Sequence, residues 1–286
     1  MELGEYQERS AKTDLRADPA DIAFPLLGLA GEVGSLVAEY KKHLRANTPR
    51  EQFVQEARED LGDLLWYLAA LSRTLDLSLD DAARENLQKI SAVWGNDLPL
   101  ATEYDGEFPI AQRLPRSFII QFRTYEHAGL HHVAMYLGDA AVGDPLNDNA
   151  YVDDDYRFHD AFHLACAAVL GWSPILRHLL GCKRKQNDDV DRIEDGARAR
   201  AIEEALAAYV YSVGRGFNYF HGAKRVDWEL LKTVRRMTEH LEVKNEPPVA
   251  WQRAILQAYE VWNALAENGG GTVEGNLDQR TLKFIS

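Results

Sequence analysis

Four carboxylates interrupt two otherwise apolar helical stretches near the N-terminus. Glu32 and Glu39 lie within residues 28–40, and Asp60 and Asp63 follow on the next stretch. An α-helix turns by about 100° per residue, so each pair of acids shares one side of its helix. Carboxylates in apolar surroundings cost free energy unless something compensates them. Two antiparallel helices carrying these acids predict a Mg²⁺ site, with Mn²⁺ as the alternative ion, because such cations prefer carboxylate, water and phosphate oxygens. Solvated acids at the edges of amphipathic helices are the other interpretation.

The same region contains three motifs that occur in order along the chain. They are Gly28-Leu29-Ala30-Gly31-Glu32-Val33-Gly34, then Asp60-Leu61-Gly62-Asp63-Leu64-Leu65-Trp66-Tyr67-Leu68-Ala69, then Asn86-Leu87-Gln88-Lys89. Over residues 5–95 the chain resembles the MazG-like all-α nucleoside triphosphate pyrophosphohydrolases. The resemblance implies a helical fold that assembles as a homo-oligomer, a dimer or a tetramer. It also implies Mg²⁺-dependent hydrolysis of a nucleoside or deoxynucleoside triphosphate to the monophosphate and pyrophosphate.

The resemblance also assigns metal ligands, with two departures. The family pattern is E-x-x-E on the first helix and E-x-x-D on the second. Glu32 and Asp63 match it, Asp60 stands where Glu is usual, and Ser35 replaces the second Glu. We therefore expect Glu32, Asp60 and Asp63 to hold the metal. Glu39 or Glu59 supplies the missing carboxylate or orients the attacking water, and the sequence does not choose between them.

Contacts to the nucleotide are expected from four further residues. Asn86 and Lys89 match family positions associated with substrate phosphate or the metal site. Lys42 is another phosphate candidate, although a surface lysine is the alternative for it. Trp66 follows Asp63 by one turn and either stacks on the base or packs in the core.

A second set of metal-ligating side chains lies in the C-terminal part of the chain. His159 and His163 are four residues apart and share a helix face, so they can bind one metal. Glu203 and Glu204 interrupt an Ala-rich helix, and one of them facing the histidines predicts a His-His-Glu site. Asp160 is expected to point elsewhere. The alternative is a buried network of these four residues with an arginine, for which the candidates are Arg157, Arg198 and Arg200.

The hydrophobic pattern predicts a mainly α protein with two domains. An all-α bundle at 1–97 contains helices at about 5–15, 21–45, 50–75 and 79–94. An α+β domain at 98–286 begins with a hairpin, 118–123 and 132–137, and a short third strand at 140–143. Helices are expected at about 155–171, 173–182, 190–214, 227–240 and 248–267, before a closing hairpin at 272–274 and 281–285 that joins the earlier strands. Residues 143–150 and 156–163 resemble C-terminal extensions of some MazG-like proteins.

Composition limits the partners and the compartment. The net charge is −13, which argues against a nucleic-acid polymer because binding its backbone needs clustered Lys and Arg. No signal peptide is visible, and no apolar run reaches the roughly 18 residues of a membrane span. Cys166 and Cys182 form no cluster with metal-ligand spacing, so we expect a reduced, cytoplasmic setting.

Two other functions are compatible with these residues. Loss of one carboxylate at Ser35 leaves room for a nucleotide-binding sensor or regulatory protein with weakened turnover. The C-terminal histidine cluster leaves room for a second metal-hydrolase site. The favoured function is NTP pyrophosphohydrolysis.

Overall fold

The chain forms two compact units, Met1–Ser91 and Ala92–Ser286. The computed structural model describes residues 1–94 and 102–285, without the side chains of residues 88, 89 and 91–94. The predicted domain boundary after residue 97 lies outside the described residues. Each unit is considered by itself below.

The N-terminal unit is all-α. Its helices are α1 (Leu3–Ser10), α2 (Ala23–Ala46), α3 (Arg50–Thr74) and α4 (Leu79–Trp94), and a 3₁₀ turn, Ala11–Thr13, extends α1. The four predicted helices are therefore present. Asn47 ends α2 in the left-handed conformation, with φ 49°, and the chain turns there into α3.

Two ring contacts set the antiparallel register of α2 and α3. The ring centroids of Phe24 and Tyr67 are 5.9 Å apart, and those of Tyr40 and Phe53 are 5.5 Å apart. Between them, a Cβ at Gly28 would overlap the ring of Tyr67. Glycine at position 28 therefore leaves the space that the aromatic ring of Tyr67 fills.

Polar contacts connect α1 to α3. Arg73 donates hydrogen bonds to the Gln7 carbonyl oxygen at 2.9 Å, to Ser10 Oγ at 2.8 Å and to Asp14 Oδ2 at 2.9 Å. Arg16 also pairs with Asp14, at 2.8 Å. These bonds position the N-terminal segment against the end of α3.

Apolar stripes on α2 and α3 are exposed in this chain. On α2 they include Val33 and Val37, which are 50% and 60% exposed, and on α3 they include Leu61 and Leu65, at 53% and 39%. The spacing of four residues places each pair on one helix face. Contiguous apolar surface of this kind is typical of a surface that binds another protein.

The C-terminal unit contains one five-stranded antiparallel sheet among the described residues. The strands are β1 (Ser117–His127), β2 (Leu130–Leu137), β3 (Ala140–Leu146), β4 (Gly271–Asn276) and β5 (Thr281–Phe284), in the order β3-β2-β1-β4-β5. Ala128 and Gly129 both have positive φ, as a two-residue hairpin turn requires. The C-terminal hairpin pairs with β1, which confirms the predicted closing hairpin.

The described part of this unit also contains six α-helices. They are α5 (Asp160–Ala165), α6 (Pro174–Leu179), α7 (Asp188–Ile193), α8 (Ala197–Gly216), α9 (Trp228–Met237) and α10 (Pro248–Asn268). The buried side chains of β1, Phe118, Ile120 and Phe122, belong to the same core as residues of α5, α8 and α10. Tyr259 of α10 donates a hydrogen bond to the Val210 carbonyl oxygen of α8 at 2.7 Å.

Two of the predicted helices are wrong in detail. Residues 155–171 form three short pieces, because a 3₁₀ turn (Tyr156–Phe158) precedes α5 and a π-helical turn (Cys166–Leu170) follows it. Residues 190–214 are broken between α7 and α8. Gly196 is extended there, and Asp195 turns inward, where it is fully buried.

A buried ion cluster explains that break. Arg184 is 1% exposed and donates hydrogen bonds to Asp195 Oδ1 and Glu242 Oε1, each at 2.7 Å. A buried guanidinium needs such partners, so the chain bends at Asp195 to reach it.

Over the described residues, no helix combines the length and the apolar character needed to cross a bilayer.

Candidate functional site

Glu32 and Asp60 lie at the same height of the α2–α3 pair. Each of the two ring contacts is eight residues from Glu32 along α2 and seven residues from Asp60 along α3. Seven residues are about two helical turns, so Asp60 faces α2 as the rings do. Asp60 is buried, and its Oδ2 has no hydrogen-bond partner among the described residues.

The other predicted ligands surround this level at the surface. Asp63, Glu59 and Ser35 are exposed, and Glu32 is half-buried. In the part of the chain that the structure describes, these N-terminal acids do not bring three ligand atoms within 4.8 Å of one another. The helices therefore place the described carboxylates near one level, but within a single chain these side chains do not come close enough together to coordinate a cation.

Glu39 lies at a different level of α2. It is seven residues beyond Glu32, about 10 Å along the helix axis. Its carboxylate pairs with Lys42, at 3.2 Å, and it lines a small cleft together with Glu56. Glu39 and Lys42 therefore lie next to each other, about two helical turns from the level of Glu32 and Asp60.

The predicted nucleotide contacts are placed as follows. The Trp66 indole donates a hydrogen bond to Thr13 Oγ1 at 2.7 Å, and its ring meets the Tyr67 ring edge-on at 5.1 Å. Asn86 is exposed on α4. The side chain of Lys89 lies outside the described residues.

In the C-terminal unit, the two histidines meet both predicted glutamates. The Nε2 atoms of His159 and His163 lie 3.3 and 3.2 Å from the two carboxylate oxygens of Glu204. Nδ1 of His163 lies 3.0 Å from Oε1 of Glu203. Both histidines and Glu203 are buried, whereas the Glu204 side chain is 49% exposed.

Asp160 corrects the sequence prediction. One ligand atom each from His159, Asp160 and His163 lies within 4.8 Å of the other two, so Asp160 belongs to the cluster. The expectation that it points elsewhere assumed a continuous helix through His159. Instead, α5 begins at Asp160 after a 3₁₀ turn, which changes the angle between adjacent side chains.

Arg157 does not take part in a network with the two histidines and the two glutamates, which was the alternative to a metal site. That guanidinium pairs with Asp148, at 2.6 Å, and with Asp155. A cavity of about 30 Å³ borders His163 and Glu203, and its other walls are mostly apolar. This is room for about one water molecule.

Charges in the cluster perturb one another strongly. Burial lowers the pKa of the His163 imidazole, but the charge of Glu203 and hydrogen bonds to Glu203 and Glu204 outweigh it and raise that pKa to about 10. Hydrogen bonds from His159 and His163 hold the pKa of Glu204 well below its usual value. Burial raises the pKa of Asp160, which the two imidazoles partly oppose. The His163 imidazole and the Glu204 carboxylate therefore stabilise each other in their charged forms.

Comparisons with known proteins agree with the C-terminal resemblance. The model of a family described as MazG C-terminal domain matches residues 100–286. The "Gene 37 protein" of Mycobacterium phage L5 is 35% identical over 102 residues, which cover 32% of this chain and 88% of the phage protein. No solved structure matches the chain.

Proposed function

Because the chain belongs to the MazG C-terminal domain family, we propose that it is a nucleotide hydrolase. The family suggests this class of activity, and the motifs of the N-terminal unit, which lies outside the matched residues, suggest the reaction. That unit hydrolyses a nucleoside or deoxynucleoside triphosphate to the monophosphate and pyrophosphate, with Mg²⁺ or Mn²⁺.

The buried Asp60 oxygen, which has no hydrogen-bond partner among the described residues, is the observation that carries this proposal. An uncompensated carboxylate on the α2-facing side of α3 is costly, and Glu32 lies at the same height. Carboxylate oxygens are the donor set that Mg²⁺ prefers. Glu32, Asp60 and Asp63 would hold the ion, which would offset the charge of the triphosphate.

The remaining side chains bind and orient. Water attacks the phosphorus at the α–β linkage, the bridging bond breaks, and pyrophosphate leaves. Glu59 is exposed next to Asp60 and orients the attacking water. Glu39 does so only if it leaves Lys42. Asn86 and Lys89 contact phosphate, and Trp66 offers a ring to the base.

We also propose that the N-terminal unit works as a homodimer or homotetramer. The support is the pair of exposed apolar stripes at Val33–Val37 and Leu61–Leu65. A second copy would bury these stripes and bring further carboxylates to the substrate. Light scattering of the purified protein measures the assembly, and a monomer at micromolar concentration would contradict this part of the proposal.

Turnover of a panel of NTPs and dNTPs with Mg²⁺ tests the function. Wild type is compared with Asp63→Asn, whose exposed side chain can change without loss of packing, and with Glu51→Gln, an exposed acid at the start of α3. We expect Asp63→Asn to lower the rate by about 100-fold or more, and Glu51→Gln to keep it within about two-fold.

The products identify the reaction. Monophosphate and pyrophosphate in equal amounts are expected. If no nucleotide is converted with Mg²⁺ or Mn²⁺, the enzyme proposal fails. Binding without turnover would instead favour the sensor function, with Ser35 as the reason for the weakened site.

A further inference from the structure

We propose that the C-terminal unit holds a second metal site, for Zn²⁺, built on His159, Asp160 and His163, with the neighbouring Glu204 as the fourth ligand. The site is independent of the proposed nucleotide hydrolysis. It lies wholly within residues that the structure describes and uses side chains from α5, its preceding turn and α8.

The potential ligands lie close together, since one ligand atom each of His159, Asp160 and His163 falls within 4.8 Å of the other two. Zn²⁺ binds imidazole nitrogen and carboxylate oxygen at about 2.0–2.2 Å, so neighbouring ligands of a tetrahedral ion lie about 3.3–3.5 Å apart. The two Nε2–Glu204 oxygen distances, 3.3 and 3.2 Å, are close to that separation. Glu204 is not part of the group of three, so its carboxylate must shift towards the other ligands to bind the same ion.

Both imidazoles are held in the orientation that a metal requires. Nδ1 of His159 donates to the Tyr156 carbonyl oxygen at 2.9 Å, and the Tyr156 ring stacks on His159 at 4.3 Å. Nδ1 of His163 faces Glu203 at 3.0 Å. Because the Nδ1 atoms are occupied, the Nε2 atoms remain available, and both face the Glu204 carboxylate. Hydrogen bonds of this kind fix the tautomer of metal-binding histidines.

Glu203 is a positioning residue in this site rather than a ligand. Its oxygens accept hydrogen bonds from Ser173 Oγ at 2.7 Å and from the Ile175 backbone N–H at 2.8 Å, in addition to His163. Three donors leave little capacity for a metal. Over the residues that the structure describes, Glu204 pairs with the two histidines alone and is half-exposed, so it provides the route by which the ion enters.

The chemistry of the surrounding groups favours a divalent cation. The carboxyl groups of Asp160, Glu203 and Glu204 surround the two imidazoles. Two imidazolium protons would supply the same positive charge as one Zn²⁺. Zn²⁺ is favoured over Mg²⁺ because two of the four ligands are imidazoles. An Nε2 atom must lose its proton to bind a metal. The protonation state of the two histidines therefore distinguishes a metal-bound site from a protonated one.

The test uses the full-length protein after removal of metal with a chelator. Stoichiometric Zn²⁺ and then Co²⁺ are titrated, with calorimetry for affinity and visible absorption for Co²⁺ geometry. Nitrogen-15 spectra report the protonation of the histidine side chains. We expect one tight ion per C-terminal unit and loss of the Nε2 protons of His159 and His163.

Matched variants separate ligands from supporting residues. Glu204→Gln should weaken Zn²⁺ binding by at least about ten-fold, because it replaces an anionic ligand. Glu203→Gln should weaken it by about 10- to 100-fold through the orientation of His163. Glu239→Gln and His240→Gln, both exposed in the same unit, should leave affinity unchanged. Circular dichroism confirms that each variant is folded.

Two results would overturn the proposal. One is that wild type binds no Zn²⁺ at the site and the two imidazoles stay protonated at Nε2. The other is that Glu204→Gln binds Zn²⁺ as tightly as wild type. Neither readout depends on nucleotide turnover, so failure of the hydrolase proposal would leave this one standing, and the reverse also holds.

Discussion

Glu203 accepts a hydrogen bond from His163 Nδ1 at 3.0 Å, with both side chains buried. The same carboxylate accepts hydrogen bonds from Ser173 and from the backbone of Ile175. One side chain on α8 therefore holds the first turn of α6 and the histidine of α5. The cluster is a structural junction as well as a candidate metal site.

Glu203→Gln should destabilise the C-terminal unit even without metal. The amide cannot accept all three hydrogen bonds, so at least one buried donor loses its partner, which costs about 1–3 kcal/mol. Urea unfolding with chelator present measures the change in free energy of unfolding. Glu239→Gln is the control for an exposed Glu, expected within about 0.5 kcal/mol of wild type. An unchanged midpoint for Glu203→Gln would show that the junction contributes no stability.

Gly28 and Gly31 should respond to alanine with opposite signs. A Cβ at Gly28 would overlap the ring of Tyr67, whereas one at Gly31 meets nothing within 4 Å. Gly28→Ala should therefore cost about 1–3 kcal/mol through overpacking. Gly31→Ala should add up to about 1 kcal/mol through helix propensity. Hydrogen exchange of α2 amides reports both changes. Similar protection in the two variants would contradict the described α2–α3 packing.

Acid should loosen the N-terminal unit through Asp14. Its hydrogen bond with Arg16 holds the pKa of this carboxyl well below the ordinary 3.8, with burial opposing and Arg73 assisting. A lowered pKa means that unfolding takes up a proton. The stabilisation is therefore complete above pH 3.8 and is lost as pH falls below that value.

The variant Asp14→Asn tests whether Asp14 causes this loss of stability in acid. The variant should be less stable at neutral pH and should lose less protection between about pH 4 and pH 2. Hydrogen exchange of α1 and α3, corrected for intrinsic rates at each pH, is the measurement. Asp81→Asn removes an exposed pair with Arg84 and should behave as wild type. If Asp14→Asn loses as much protection from hydrogen exchange in acid as wild type does, Asp14 is not the cause.

Local patterns predicted much of this architecture. Apolar periodicity located α2 and α3, and alternation with turn residues located both hairpins, because these signals act over neighbouring residues. The i, i+4 spacing of His159 and His163 identified the C-terminal cluster. The place of Asp160 was missed because it depends on where α5 begins.

Contacts between residues that are far apart in the sequence could not be predicted in the same way. The break at Asp195 follows from its contact with Arg184, and residue type alone suggests that both side chains are exposed. Likewise, the common level of Glu32 and Asp60 follows from the register of α2 against α3, which the two ring contacts set. Sequence spacing shows which residues share one face of a helix. It does not show which residues of a neighbouring helix lie opposite them.

Arg184→Met should be among the most destabilising single changes in the C-terminal unit. It leaves the carboxylates of Asp195 and Glu242 without the guanidinium that pairs with both. Breaking a buried ion pair by removing one partner costs about 3–5 kcal/mol. Lys185→Met, one residue on and exposed, is the matched control and should change stability by less than about 0.5 kcal/mol. Urea unfolding followed by tryptophan fluorescence measures both variants. Equal midpoints would mean that Arg184 is not the cation on which the bend at Asp195 depends.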